Sequence, residues 1–207
     1  MKACLFDYGA MARAVLPLQK ALTEAEKVRV FSPAQETDLT FDLCGLKAQP
    51  CTGAANIPDG ECFTAPERES ANGTIRFSPA LQFGHRFSSI KLTFNDGQVI
   101  MADAESPEKT KILHSILNID DGASAIGEFA VNFNPIIQNI TTRTLFDEKI
   151  NGGIHLALGN AHPKTDNGNR SVIHWDLIHI QRPDFGGGEL WLDGKLFRKD
   201  GLFVDPE

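Results

Sequence analysis

The sequence is poor in the features that mark disulfide scaffolds, nucleic-acid binders and membrane proteins. Its four cysteines, Cys4, Cys44, Cys51 and Cys62, stand at irregular spacings without a CxxC pair. That excludes the paired-cysteine zinc motifs and reads as reduced thiols of a cytoplasmic protein. No dense cluster of Lys and Arg occurs, and the formal net charge is -7; nucleic acid is therefore not an expected partner. No apolar run reaches the length of a membrane helix, and Met1-Lys2-Ala3-Cys4 lacks the basic, apolar, small-residue order of a secretory signal. Membrane association is not expected, and the sequons at Asn72, Asn139 and Asn169 are then incidental. There is no internal repeat or low-complexity tract, and Gly186-Gly187-Gly188 is too isolated to cradle a phosphate.

What is present suits one compact unit, because 207 residues at 42% hydrophobic content can bury a sizeable core. Near the N-terminus, Ala12, Val15, Leu16, Ala21 and Leu22 fall close to helical spacing, interrupted by Pro17, and Lys27-Val28-Arg29-Val30-Phe31 then alternates as a strand. Residues 1–27 are thus expected to form a linker helix ahead of a domain spanning 28–207. Asp96-Gly97 and Asp193-Gly194 each separate two alternating segments, the pattern of antiparallel hairpins whose turns need positive φ. Ser106-Pro107-Glu108 starts a helix with Ile112, Leu113, Ile116 and Leu117 on one stripe; His114 on it is expected to be an ordinary, partly exposed residue. The expected fold class is α+β, with a mainly antiparallel or mixed sheet and a few helices.

The polar residues of chemical interest interrupt apolar strands. In Ile173-His174-Trp175-Asp176-Leu177, side chains two apart leave the same face of a strand, so His174 and Asp176 point together while Ile173, Trp175 and Leu177 face a core. Two such groups form half a metal site, or equally a hydrogen-bonded structural pair. His155, in Gly153-Ile154-His155-Leu156-Ala157-Leu158-Gly159, lies on a small-residue face, where a histidine satisfied by a carbonyl is the simpler alternative. Glu61 and Glu128 each sit beside glycine and near an aromatic, a setting that draws a carboxylate inward and demands a counter-charge.

The segments Asp59-Gly60-Glu61-Cys62-Phe63-Thr64-Ala65-Pro66, Asn72-Gly73-Thr74-Ile75-Arg76, Gly127-Glu128-Phe129-Ala130, Leu145-Phe146-Asp147-Glu148, His155-Leu156-Ala157-Leu158-Gly159 and Ile173-His174-Trp175-Asp176 resemble, in order, the thermophilic aminopeptidases of peptidase family M29. The resemblance runs from about Val28 to the last hairpin. It implies the catalytic region of that family, a homodimer, and a pair of divalent metal ions held by Glu61, Glu128, His155, His174 and Asp176, with Glu128 as the bridge. Two departures accompany it. His162 stands where the family has a tyrosine, and the family's preceding α/β domain is not found ahead of the matched region.

Mixed carboxylate and imidazole donors suit zinc, cobalt or manganese better than calcium or a structural thiolate zinc. Such a site activates water and polarises the scissile carbonyl of a peptide substrate, removing its first residue. Glu148 is the candidate general base, weighed against a plain salt bridge to Lys149 or Arg143. His162 is a candidate proton donor, weighed against a solvent-facing loop histidine. With Glu128 these form the expected catalytic set of a cytoplasmic metalloaminopeptidase. The alternatives are a non-catalytic metal-binding dimerisation module and a non-peptidase metal-dependent hydrolase using the same ions.

Overall fold

The computed structural model describes residues 2–54 and 56–204. Its helices are α1 (Tyr8–Ala14), α2 (Leu16–Glu24), α3 (Pro107–Leu117) and the single turn α4 (Thr144–Asp147). The strands are β1 (Lys27–Ser32), β2 (Thr37–Asp42), β3 (Gln49–Cys51), β4 (Glu61–Thr64), β5 (Asn72–Phe77), β6 (Ala80–Gln82), β7 (His85–Phe87), β8 (Ile90–Asn95), β9 (Gln98–Ala104), β10 (Ile126–Asn132), β11 (Gly153–Gly159), β12 (His174–Ile180), β13 (Glu189–Leu192), β14 (Lys195–Lys199) and β15 (Leu202–Phe203). They build an eight-stranded sheet, ordered β15-β14-β13-β1-β2-β5-β8-β9, and a five-stranded sheet, ordered β12-β11-β10-β4-β3. Strands β6 and β7 form a separate ribbon. Every pairing between these strands is antiparallel, so the molecule has the α+β, antiparallel architecture expected from the hairpin signals.

The turns and caps follow local chemistry. Asp96-Gly97 has φ values of 47° and 80°, and Asp193-Gly194 has 51° and 74°; consecutive positive φ is what two-residue hairpin loops require. Ser106 caps α3 by accepting a hydrogen bond from the Lys109 amide at 3.2 Å, with Pro107 at the first helical position. Pro17 starts a second helix instead of kinking one: α1 ends at Ala14, and α2 carries the proline in its first turn. No helix among the described residues is long and apolar enough to cross a membrane.

The two large sheets share one apolar core. Val28, Val30, Leu39, Phe41, Ile75, Leu92 and Leu190 from the eight-stranded sheet meet Phe129, Val131, Ile154, Leu156, Leu158, Trp175 and Leu177 from the five-stranded one. Phe41 and Phe129 touch edge to face across it, with centroids 5.1 Å apart. The core therefore takes one face of β10, β11 and β12. The opposite face of the five-stranded sheet is also largely covered, and all seven residues of both β10 and β11 are buried.

Candidate metal centre

The covered outer face of the five-stranded sheet carries the polar side chains. Register sets them in rows across the strands: Glu128, Ala157 and Asp176 in one, and Phe63, Ala130, His155 and Ile178 in the next. Gly159 stands opposite His174, and Asn132 opposite Glu61. Alanine and glycine between the larger groups leave room above the sheet for side chains from neighbouring strands to converge. Glu61, Glu128, His155, His174 and Asp176, well separated in sequence, share this one face.

Glu128 reaches that face through a bulge. In an unbroken strand Ile126 and Glu128 would point the same way. Here the register shifts between them, with Ile126 opposite Leu158 and Glu128 opposite Ala157. The extra residue, Gly127, lets Ile126 join the core while Glu128 turns outward. Only glycine fits there, since a Cβ on Gly127 would lie 2.4 Å from the Gly159 carbonyl oxygen.

The two histidines are held alike. The Nδ1 of His155 lies 2.9 Å from Asn132 Oδ1, and the Nδ1 of His174 lies 2.8 Å from the Asn160 carbonyl. Both partners accept, so each Nδ1 carries a hydrogen and each Nε2 turns to the carboxylates. His155 Nε2 is 3.2 Å from Glu128, 3.8 Å from Glu61 and 3.9 Å from Asp176; His174 Nε2 is 3.3 Å from Asp176. A histidine pinned through one nitrogen with the other offered to a cluster of carboxylates is the usual arrangement of an imidazole metal ligand. Donor atoms of Glu128, His174 and Asp176 all lie within 4.8 Å of one another, and the buried Oε2 of Glu61 has no hydrogen-bond partner. This donor set suits a divalent cation, which would satisfy that oxygen.

Electrostatics agree with a site built around cations. Burial drives the His155 imidazole toward neutrality, but the bond to Glu128 and the charges of Glu61 and Asp176 outweigh it and push its pKa up to about 9. Burial likewise opposes charge on His174, and its bond to Asp176 raises it to about 9. For Asp176, burial is overcome by His174 and His155, which hold the carboxyl well below its ordinary range. Glu61 moves upward because burial exceeds the opposing pull of Lys149 and His155.

Glu148 follows α4 and is placed at the edge of this cluster. Burial raises its pKa to about 7, against the pull of Lys149 and with a further push from Asp176. It also makes the salt bridge weighed from sequence, to Lys149 at 2.7 Å. His162, on the loop after β11, packs edge-on against Phe63 at 4.6 Å between centroids, and its Nδ1 accepts the Lys164 amide at 3.1 Å. In the neutral ring Nε2 then carries the hydrogen and is available to donate. Three residues of the cluster were not singled out as site residues by sequence reasoning. Lys149, fully buried, lies 2.5 Å from Glu61 and 4.0 Å from Asp59. Asn132 orients His155, and its signal was the period-two run Glu128, Ala130, Asn132 on one strand face. Asp59 accepts the backbone amides of Gly53 and Gly60.

Comparison with known proteins follows from this face and its strands. The family model for the thermophilic metalloproteases (M29) matches residues 11–188. Aminopeptidase 2 of Geobacillus stearothermophilus is 38% identical over 162 residues, covering 70% of this chain and 37% of the relative. Aminopeptidase PepS of Streptococcus thermophilus is 30% identical over 203 residues, covering 84% and 47%. The chain thus spans less than half the length of these curated relatives. Among solved structures, wild-type AmpT from Thermus thermophilus superposes with a TM-score of 0.76 at 24% identity, over 96% of this chain and 55% of that one. A 2,5-dihydroxypyridine dioxygenase from Pseudomonas putida KT2440 gives 0.78 at 20% identity, over 95% and 60%. At such identities the two structures speak for the fold alone, and the fold evidently carries more than one chemistry. The family match covers most of the chain, including every strand of the five-stranded sheet, and by it the chain belongs to the M29 family of thermophilic metalloproteases.

Proposed function

We propose that this chain is the metal-binding catalytic region of an aminopeptidase that hydrolyses the N-terminal residue of peptides. One observation carries the reading above the others: Glu61, Glu128, His155, His174 and Asp176 converge on one covered sheet face, both imidazoles presenting Nε2 to carboxylates. The naming of the relatives as aminopeptidases supports the substrate class. The five residues would hold divalent ions, zinc, cobalt or manganese by donor type, with Glu128 shared between the two positions that the family resemblance implies. Bound there, such ions would supply Lewis-acid polarisation of the scissile carbonyl and would acidify a water nucleophile toward neutral pH.

The chain's own residues handle binding and protons. Asn132 and the Asn160 carbonyl fix the two imidazoles, so the donors need little rearrangement to bind. Glu148, with its carboxyl near neutrality at about 7, is the group to take a proton from the attacking water and return it to the leaving amine. His162 Nε2–H is the donor toward charge developing on the carbonyl oxygen. A cytoplasmic homodimer is the compartment and assembly that accompany this reading, in keeping with the four free cysteines.

The test is hydrolysis of aminoacyl reporter substrates by the chain, as purified, with chelator, and after metal is restored. Chelator-sensitive release of the first residue, lost in Glu128→Ala and His174→Ala by ~10²-fold or more, is the expected result. Undiminished hydrolysis after complete metal removal would overturn the mechanism. Glu148→Gln should lower kcat by ~10²-fold while leaving metal content unchanged. Sedimentation as a clean monomer at high micromolar concentration would exclude the dimer.

A further inference from the structure

We propose that Lys149 is a built-in counter-cation standing where a second divalent ion would otherwise neutralise Glu61. The chain then holds one ion tightly, on Glu128, His174 and Asp176, and a second only weakly beside Glu61 and His155. The inference rests on the metal-binding reading above and refines it to unequal positions.

The asymmetry is in the surroundings of the candidate donors. Around Glu128, His174 and Asp176 the ligating atoms gather within 4.8 Å, and the nearest basic group is His155, 3.2 Å from Glu128 and 3.9 Å from Asp176. An imidazole Nε2 facing the carboxylates is itself a metal-ligand type, so this basic group belongs to the donor set. Around Glu61 donor atoms of Cys51 and Asp59 gather equally closely, within 4.8 Å, but a fixed positive charge stands among them. One oxygen, Oε1, is bonded to the Lys149 ammonium at 2.5 Å, which also bonds Glu148 at 2.7 Å and lies 4.0 Å from Asp59. The other oxygen, Oε2, is buried, unbonded and 3.8 Å from His155. An ion using Oε2 would therefore share a single carboxylate with a fixed positive charge.

Lys149 itself has no solvent route by which to withdraw. Its side chain is 1% exposed, and its three acidic neighbours come from the loop ahead of β4 (Asp59), the first residue of β4 (Glu61) and the position after α4 (Glu148). An ammonium is a compact point charge with three donors and no acceptor, so it repels a cation and cannot ligate one. Repulsion between charges a few ångströms apart in a poorly solvated pocket is large enough to separate the two affinities by ~10²-fold or more. Charge balance runs the same way: with Lys149 in place, Glu61 and Glu148 no longer need a second ion.

The experiment measures Mn²⁺ bound per chain by equilibrium dialysis and elemental analysis after chelator stripping; manganese is chosen because thiols bind it poorly. Wild type should take up one ion, with the second requiring at least ~10²-fold more free metal. Lys149→Met should raise the second affinity at least tenfold and reach two ions per chain. Glu61→Gln should keep the tight ion within tenfold of wild type, whereas Asp176→Asn should weaken it by more than a hundredfold. Two ions of equal affinity in wild type would overturn the proposal, as would a Lys149→Met chain that folds yet still takes one, or loss of the tight ion in Glu61→Gln. Should Lys149→Met fail to fold, the wild-type stoichiometry and Glu61→Gln decide. No bound ion under any condition would instead overturn the metal-binding reading itself.

Discussion

The two sheets spend their charged residues differently. On the eight-stranded sheet β2 alternates buried and exposed, and charges on and beside the sheet's strands meet partners in water: Arg29 of β1 bonds Asp38 of β2 at 2.8 Å, and Glu36, just ahead of β2, takes both Arg76 and Lys91. On the five-stranded sheet, β10 and β11 are buried on both faces, and Glu61, Glu128, His155 and Lys149 meet out of solvent. The pair chemistry is the same and the energetics are opposite. Exposed pairs contribute little and tolerate loss, whereas a buried charge without its partner is strongly destabilising. A buried cluster of this kind needs compensation, and on the reading proposed above bound cations provide it.

The largest expected effect on stability lies in the inner cluster. Lys149→Met removes the cation bonded to both Glu61 and Glu148, leaving two buried carboxylates against each other. In the metal-stripped chain this should cost about 3–5 kcal/mol, read from urea unfolding with an unchanged m-value. Divalent metal should then restore more stability to the variant than it adds to wild type, because an ion binding the folded state replaces the missing charge. A loss below about 1 kcal/mol, the range of exposed pairs, would erase the contrast between the sheets.

The next effect arises where the sheets meet. His179 of β12 has Nδ1 2.8 Å from the Arg76 carbonyl and Nε2 2.9 Å from the Ser32 hydroxyl. The carbonyl can only accept, so Nδ1 carries the hydrogen, Ser32 donates to Nε2 and the ring is neutral. Burial, helped by the charge of Arg198, depresses its pKa to about 4, although the bond to Arg76 opposes this. The unfolded chain takes up a proton near pH 6.5 and the folded chain only near 4. Stability from this group is therefore intact above pH 6.5 and lost as pH falls toward 4, by at most about 3 kcal/mol. His179→Gln should flatten that part of the curve relative to wild type. An identical acid limb in both proteins would show that the seam does not titrate.

These contrasts bear on what was legible in the sequence. The eight-stranded sheet could be read locally, Asp96-Gly97 and Asp193-Gly194 setting its hairpins, and Ser106 likewise set the start of α3. His174 and Asp176 could be placed together because strand geometry alone decides it. Glu61, Glu128 and His155 joined them only through family resemblance, since their meeting depends on strand order β12-β11-β10-β4. From sequence Lys149 stands only as a salt-bridge partner for Glu148. Nothing local distinguishes a lysine after an irregular turn from a solvated one, and its burial comes with Asp59, Glu61 and Glu148 gathered around its ammonium. The Gly127 bulge was equally hidden, because alternation assigns Ile126 and Glu128 to one face and only the register with β11 separates them.

That bulge gives a smaller effect. Gly127→Ala would place a Cβ 2.4 Å from the Gly159 carbonyl oxygen and 2.9 Å from Asn160 backbone atoms, so the backbone must shift. The shift should move Glu128 away from Asp176 and weaken metal binding roughly tenfold, although Gly127 contributes no donor. Dialysis against Mn²⁺ measures it. Unchanged affinity would mean that the face tolerates displacement as the solvated sheet does.

The smallest effect belongs to the eight-stranded sheet and serves as the reference for the rest. Arg29 of β1 and Asp38 of β2 meet diagonally, Arg29 standing opposite Thr40 and Asp38 opposite Phe31, with two bonds of 2.8 Å, yet both side chains are about half exposed. Their geometry is as good as any pair in the inner cluster. If geometry alone set the energy, the pair would matter as much as Lys149 and Glu61. Solvent screening predicts otherwise: a double-mutant cycle of Arg29→Ala and Asp38→Ala should give a coupling of about 0.2–1 kcal/mol, shrinking as salt is raised. The Arg29 guanidinium also lies over the Phe31 ring, 4.7 Å from its centroid, so the single Arg29→Ala change should cost somewhat more than the coupling itself. A salt-insensitive coupling above about 2 kcal/mol would show that exposure is not what separates the two sheets.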